Sequence, residues 1–213
     1  MRIGVLGTGV VGQTLGTKLV QLGHEVTMGA RSAGNEKAVE WAAGAGEKAT
    51  EGSFADAAAH GELLFNCTAG TASLDALRAA GEEELRGKVL IDVANPLDFS
   101  QGMPPTLTVC NDDSLGEQIQ RAFPDTRVVK ALNTISAAVM VAPIDGTSLF
   151  ICGDDDAAKQ EVAELLGSFG WPAESIVDLG GIEAARGTEM YLALWIRLMA
   201  AQGTPQFNIA VAR

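Results

Sequence analysis

Apolar positions along the chain change their spacing in a regular alternation. The run Arg2-Ile3-Gly4-Val5-Leu6 is aliphatic and β-branched and stops at a glycine; apolar residues then recur at Val11, Leu15, Leu19 and Leu22, which is helical spacing. Gly23 stands where a helix C-terminus favours a left-handed residue, and Glu25-Val26-Thr27-Met28 is strand-like again. Strand, helix and strand in this order predict a β-α-β unit with parallel strands and a right-handed crossover. Further strands are expected at 63–67, 88–93, 127–131 and 148–152, with helices near 35–45, 71–80, 114–122 and 156–169. Near-continuous apolar strands separated by helices predict a doubly wound, mostly parallel α/β sheet covered on both faces. A short strand at 175–179 and a long helix over 182–199 follow.

The first strand runs into Gly7-Thr8-Gly9-Val10-Val11-Gly12. A G-x-G-x-x-G pattern alone is weak, but between a strand and a helix inside a β-α-β unit it is the dinucleotide fingerprint of a Rossmann fold. Gly7 permits the tight turn, Gly9 lets backbone approach a pyrophosphate, and Gly12 lets helix and strand pack closely. The free N–H groups and positive dipole end of the helix would hold the anion. About 20 residues further on, an acid at the end of the second strand would bind the adenine ribose of NAD. Here that place is Gly29, and Ala30-Arg31-Ser32 follow. With no carboxylate to repel a 2′-phosphate, and with Arg31 and Ser32 able to bind one, the expected cofactor is NADP(H). Lys37 is either a second cation for that phosphate or a solvated helix lysine.

Ligands in open α/β sheets lie along the carboxyl ends of the strands. Three such places carry small or polar residues: Thr68-Ala69-Gly70, Ala94-Asn95-Pro96 and Asn133-Thr134-Ile135-Ser136. Each has a local alternative, turn chemistry at Asn95-Pro96 and helix capping at Thr134 or Ser136. Their convergence on one sheet edge makes Thr68, Ala69, Ala94 and Asn95 candidate cofactor contacts, with Asn133, Thr134 and Ile135 positioning the reacting rings. The expected organisation is an NADP-binding Rossmann domain over 1–136, completed by a C-terminal extension over 137–213.

The chain has 213 residues and a formal net charge of −12, which disfavours nucleic acid and anionic membrane surfaces as partners. Cys67, Cys110 and Cys152 form no Cys-x-x-Cys pair, and His24 and His60 have no metal-ligand spacing, so free thiols in a reducing cytoplasm and no metal are expected. The acids of Gly153-Asp154-Asp155-Asp156 suit a helix N-terminus. The apolar stretch from Met190 to Ile196 is closed by Arg197 and is too short to span a bilayer. Its helix is apolar nearly all round, which predicts burial against the core and against a second subunit or a cofactor ring, and a homodimer is expected. There is no G-x-S-x-G, no lysine after the glycines in Walker spacing and no histidine at a strand end. Hydride transfer between two stacked rings needs positioning more than acid or base, and it fits this inventory.

Taken together, Met1-Arg2-Ile3-Gly4-Val5-Leu6-Gly7-Thr8-Gly9, Leu22-Gly23-His24-Glu25-Val26 leading to Arg31, Val128-Val129-Lys130-Ala131-Leu132-Asn133-Thr134-Ile135 and Cys152-Gly153-Asp154-Asp155 resemble the NADP oxidoreductases dependent on the deazaflavin coenzyme F420. The fold is also similar to the NADPH-binding domain of membrane-anchored metalloreductases. The resemblance implies NADP on Thr8, the glycine loop, Arg31 and the loop after Cys67. It implies a deazaflavin stacked on the nicotinamide beside Asn133-Thr134-Ile135 and the C-terminal helix of a homodimer, and a flavin, FMN or FAD, stays open as the acceptor. The chain departs from the archaeal pattern at Asn133, where those members carry histidine, and at Met190 and Leu192, where they carry small hydroxyl residues. Two other readings are an NADPH-dependent imine or carbonyl reductase, whose known members add a larger helical domain, and a non-catalytic NADPH-sensing module.

Overall fold

The computed structural model describes residues 1–212. The chain runs β1 (Arg2–Leu6), α1 (Val10–Gln21), β2 (Glu25–Ala30), α2 (Glu36–Ala45), β3 (Ala49–Ser53), α3 (Phe54–His60), β4 (Leu63–Asn66), α4 (Ser73–Ala80), α5 (Glu82–Leu85) and β5 (Val89–Asp92). A small antiparallel pair, β6 (Leu97–Asp98) and β7 (Thr106–Leu107), precedes α6 (Leu115–Ala122), β8 (Arg127–Ala131) and α7 (Ala137–Val141). The chain then forms β9 (Leu149–Cys152), α8 (Asp156–Ser168), β10 (Ile176–Asp178) and α9 (Ala185–Gln202).

One eight-stranded sheet takes the order β10-β9-β8-β5-β4-β1-β2-β3. The six strands β3-β2-β1-β4-β5-β8 are mutually parallel, so the order reverses at β1, between β2 and β4. That reversal is the switch point of a doubly wound sheet, outside which the carboxyl strand ends leave a crevice. β9 pairs antiparallel to β8, and β10 returns parallel to β9. The turn of direction follows from the 132–148 connection, whose short α7 packs back on α1 and makes no full crossover.

Alternate strand residues feed two buried cores. Ile3, Val5, Met28, Phe65, Ile91 and Val129 join Leu15, Leu19, Leu149 and Val162 on one face. Leu6, Leu64, Leu90 and Val128 join residues of α3, α4, α6 and α9 on the other. Burial on both faces is why these strands are almost continuously apolar. Residues after 136 extend the same sheet and share the first core, and the tail is fastened to β9 where Ser148 donates its N–H to the Ile209 carbonyl at 2.9 Å.

The strand and helix at 49–60 were not expected from the sequence pattern. β3 is a polar edge strand, Ala49-Thr50-Glu51-Gly52-Ser53, and an edge with one exposed side needs no apolar alternation. α3 had a legible start: Ser53 and Asp56 make a reciprocal capping box, with Ser53 N–H donating to Asp56 Oδ2 at 2.8 Å. The three aspartates at 154–156 act structurally. Asp154 accepts the Ile182 N–H, Asp155 caps α8 and pairs with Arg127, and Asp156 pairs with Lys159.

Candidate functional site

At the switch point the loop between β1 and α1 turns with Gly7 at φ +121°, a left-handed conformation that other residues rarely adopt. Its N–H donates to the Gly29 carbonyl at 2.9 Å, which ties the loop to β2. A Cβ on Gly12 would collide with the Gly7 carbonyl oxygen, so the close approach of helix and loop requires glycine there. Gly9 behaves differently. It is the N-cap residue of α1, its backbone is extended, and a Cβ built on it meets nothing within 4 Å, so that side faces open cleft. The first bond into the helix runs from Gln13 N–H to Gly9 at 3.0 Å, which leaves the N–H groups of Val10, Val11 and Gly12 at the mouth. Gln13 Nε2 also donates to the Thr8 carbonyl at 3.0 Å and pins the loop, and no acid stands in the first turn of α1 to compete with an anion.

A cleft of about 1030 Å³ opens from this loop, walled by Gly7, Thr8 and Gly9, by Ala30, Arg31 and Lys37, and by Cys67, Thr68 and Ala69. Arg31 and Lys37 are exposed, and among the described residues neither has an ion-pair partner. Of the acids on the same wall, Asp75 is matched by Arg78 at 2.9 Å, and Glu36 begins α2. Ser32 is exposed next to Arg31 but is not part of the wall. The expected place of the ribose acid moves by one residue. β2 runs on to Ala30, and Gly29 faces α3, where a Cβ would lie 2.8 Å from Ala57 Cβ, so Ala30 is the strand-end residue that the cleft sees. No carboxylate occupies it, and Arg31 follows directly.

A second pocket of about 460 Å³ shares Cys67, Thr68 and Ala69 with the first and continues along Val11, Val93, Ala94, Asn95 and Phe99. The two together make one groove across the carboxyl ends of β2, β1, β4 and β5. Thr68 is oriented by its hydroxyl, which donates to Asn66 Oδ1 at 2.7 Å. Asn95 joins the loop after β8 through a reciprocal pair: its Nδ2 donates to the Asn133 carbonyl at 2.8 Å, and Asn133 Nδ2 donates to Asn95 Oδ1 at 3.0 Å. Asn133, Thr134 and Ile135 are themselves buried and line neither pocket, so the structure brings Asn133 to the groove only through Asn95. Val10 is exposed at the mouth, and Leu192 packs into the core.

Nucleophilic chemistry finds little support in this groove. Burial, and after it the Asp92 carboxylate, hold the Cys67 thiol far above its ordinary value, so it is protonated at neutral pH. The residues do fit a dinucleotide. Gly9 presents open backbone, and Arg31 and Lys37 line the cleft with no ion-pair partner among the described residues. Sequence reasoning missed Phe54, Ala72, Asp75 and Ala76 on the first wall and Phe99 on the second. The Ser53-Asp56 capping box would have placed Phe54 at a helix start; nothing in the sequence marks Phe99.

A parallel sheet with this strand order, a glycine loop at its switch point and cations where an acid would stand define a dinucleotide-binding protein of the NADP class. Residues 2–96 match the family described as NADP oxidoreductase coenzyme F420-dependent. The chain is 33% identical over 214 residues to the F420-dependent NADP reductase of Methanothermobacter marburgensis, covering 93% of this chain and 92% of that one. A crystal structure from Arthrobacter sp. FB24, described as a candidate F420-dependent NADP reductase, superposes with a TM-score of 0.94 at 51% identity over 100% of both chains. The metalloreductase STEAP3 of Rattus norvegicus is 30% identical over 206 residues, and there the chain spans 96% of itself but 38% of that protein. The chain belongs to the coenzyme F420-dependent NADP oxidoreductases, a family of NADP-dependent oxidoreductases. Among the described residues no helix is long and apolar enough to cross a membrane.

Proposed function

We propose that the protein transfers a hydride between NADPH and a deazaflavin of the coenzyme F420 type. The observation that carries the reading is the single groove that runs from Arg31 and Lys37, past the glycine loop, to Ala94 and Asn95 and offers no activated nucleophile along its length. In this reading the N–H groups of Val10, Val11 and Gly12 hold the pyrophosphate, and Arg31 and Ser32, with Lys37 beside them, hold the 2′-phosphate. Thr68, Ala69, Ala94 and Asn95 flank the nicotinamide half. Asn133, Thr134 and Ile135 position the rings from behind, Asn133 through its reciprocal hydrogen bonds with Asn95. When bound, the reduced nicotinamide supplies the hydride, and the protein contributes distance, orientation and exclusion of water. Residues 1–136 would carry the nucleotide, and 137–213 would complete the sheet and the acceptor side.

The acceptor is tested by mixing NADPH and protein with the deazaflavin, FMN or FAD at equal saturation. The deazaflavin is expected to be reduced fastest; flavin reduction at the same rate or faster contradicts the acceptor assignment.

We further propose a homodimer through α9. Its inner face buries Ala185, Leu192 and Ile196, while Leu194 remains 55% exposed and Met190, Leu198 and Met199 half-buried. Such a stripe is larger than scattered surface leucines require. Sedimentation at micromolar concentration should give a dimer that Leu194→Glu dissociates; a monomeric wild type contradicts it.

A further inference from the structure

Beneath the groove, on the inner side of the strand ends, lies a set of charged groups that forms no part of its walls. Lys130 in β8, Asp92 in β5 and Glu189 in α9 are all at most 1% exposed. The Lys130 ammonium donates to Asp92 Oδ2 at 2.8 Å and to the Ala94 carbonyl at 2.6 Å, and pairs with Glu189 Oε1 at 2.7 Å. Burial alone would push the ammonium down, but the two carboxylates outweigh it and hold Lys130 above its ordinary value. Glu189 also accepts the N–H groups of Leu115 and Gly116 at 2.8 and 3.0 Å, and so caps the positive end of α6.

From this cluster a chain of hydrogen bonds leads to the groove. Asp92 Oδ1 accepts the Ala94 N–H at 3.2 Å and Asn66 Nδ2 at 2.8 Å. Asn66 Nδ2 also reaches Ser73 Oγ at 3.1 Å, and Asn66 Oδ1 accepts the Thr68 N–H at 3.3 Å and its hydroxyl at 2.7 Å. Thr68 stands on both pockets, and Ala94 on the second. The adenine end has no such connection: none of these bonds reaches Arg31, Lys37 or Phe54. Stability alone is a poor reason for such burial, because replacing buried ion groups by well-packed apolar side chains is often neutral or stabilising. What the cluster supplies is direction: Lys130 fixes Asp92 and the Ala94 carbonyl, and Asp92 in turn holds Asn66 and through it Thr68, so the loops after β4 and β5 keep one relative placement.

We propose that Lys130, Asp92 and Glu189 form a positioning cluster that sets the spacing of Thr68–Ala69 and Ala94–Asn95 for the nicotinamide half of the site and ties that spacing to the seating of α9. The proposal rests on reading the groove as an NADP(H) site. None of the three residues touches the nucleotide; they act through Thr68 and Ala94.

The test separates the two halves of the groove with two probes, 2′,5′-ADP for the adenine half and NADP⁺ for the whole. Glu189→Gln keeps the size of the side chain and leaves Lys130 and Asp92 a balanced pair, though its single acceptor oxygen also gives up part of the α6 cap. Asn66→Ala cuts the chain nearer the groove and leaves the charges untouched. In calorimetric titrations of the full chain, both variants should bind 2′,5′-ADP within about twofold of wild type and NADP⁺ about tenfold more weakly, the scale of one lost charge-assisted contact. Amide hydrogen exchange without ligand should quicken at 67–69 and 93–95 while the core of α1 stays protected. Equal losses for both probes, no loss for either, or unchanged exchange at those loops overturns the positioning role. A wild type that binds neither probe overturns the nucleotide reading and the proposal with it, whereas a wild type that binds both while the variants show no split overturns the positioning role alone.

Discussion

Replacing Arg31 by alanine is expected to weaken NADPH binding by about 1.5–3 kcal/mol, roughly 10- to 150-fold, and to leave NADH nearly unchanged. The estimate is that for a charge-assisted contact, and the exposure of Arg31 favours its lower half because solvent screens the pair. The surroundings of the guanidinium leave it available. It has no ion-pair partner among the described residues, it lines the same cleft as Gly9, and the strand-end position before it is an alanine. A 2′-phosphate would therefore meet a cation without first displacing a carboxylate. Calorimetric titration of both nucleotides into wild type and variant measures the difference. Equal losses for NADPH and NADH would place Arg31 elsewhere than at the 2′-phosphate.

Alanine at Gly9 and at Gly12 should fail in opposite ways. At Gly9 the backbone is extended, a methyl group meets no protein atom within 4 Å, and the variant should fold and melt like wild type. The same methyl group would occupy the space through which a pyrophosphate approaches the helix N-terminus, so nucleotide affinity should fall at least tenfold, or about 1.4 kcal/mol. At Gly12 the methyl group runs into the Gly7 carbonyl, a backbone atom that cannot rotate aside. Overpacking of this kind costs about 1–3 kcal/mol, and a chain of this length loses roughly 2–4 °C of melting temperature per kcal/mol. Thermal melts and titrations of the two variants check the contrast. A Gly9→Ala protein that binds NADPH normally would remove the glycine loop from the site.

The elements that were legible in the sequence are those whose burial is two-sided or whose turn chemistry is unambiguous. β1, β4, β5 and β8 are buried on both faces and therefore announce themselves as apolar runs, and the β1–α1 turn carries its glycines at fixed spacing. β3 escaped because an edge strand bonded on one side gains little from apolar side chains, and the β6–β7 pair because two residues per strand leave no periodicity to detect. The placement of Gly29 went astray by one residue because a strand alternates faces, and its end cannot be fixed from spacing alone; one step exchanges the cleft for α3. The cluster of Asp92, Lys130 and Glu189 had a weak signal. Asp92 and Lys130 sit near the ends of otherwise apolar strands, and Glu189 sits in an otherwise apolar helix, but only the fold brings residues so far apart in the chain together.

Direct hydride transfer is tested most directly by isotopic labelling. With NADPH deuterated at the transferable C4 position and one equivalent of oxidised deazaflavin in ordinary water, a single turnover should oxidise the nicotinamide and place the deuterium on the carbon of the deazaflavin that accepts the hydride. The accompanying proton should come from solvent. Deuterium retained in the deazaflavin without dilution is the predicted result. Loss of the label to water, or oxidation of NADPH with no label in the acceptor, would contradict it.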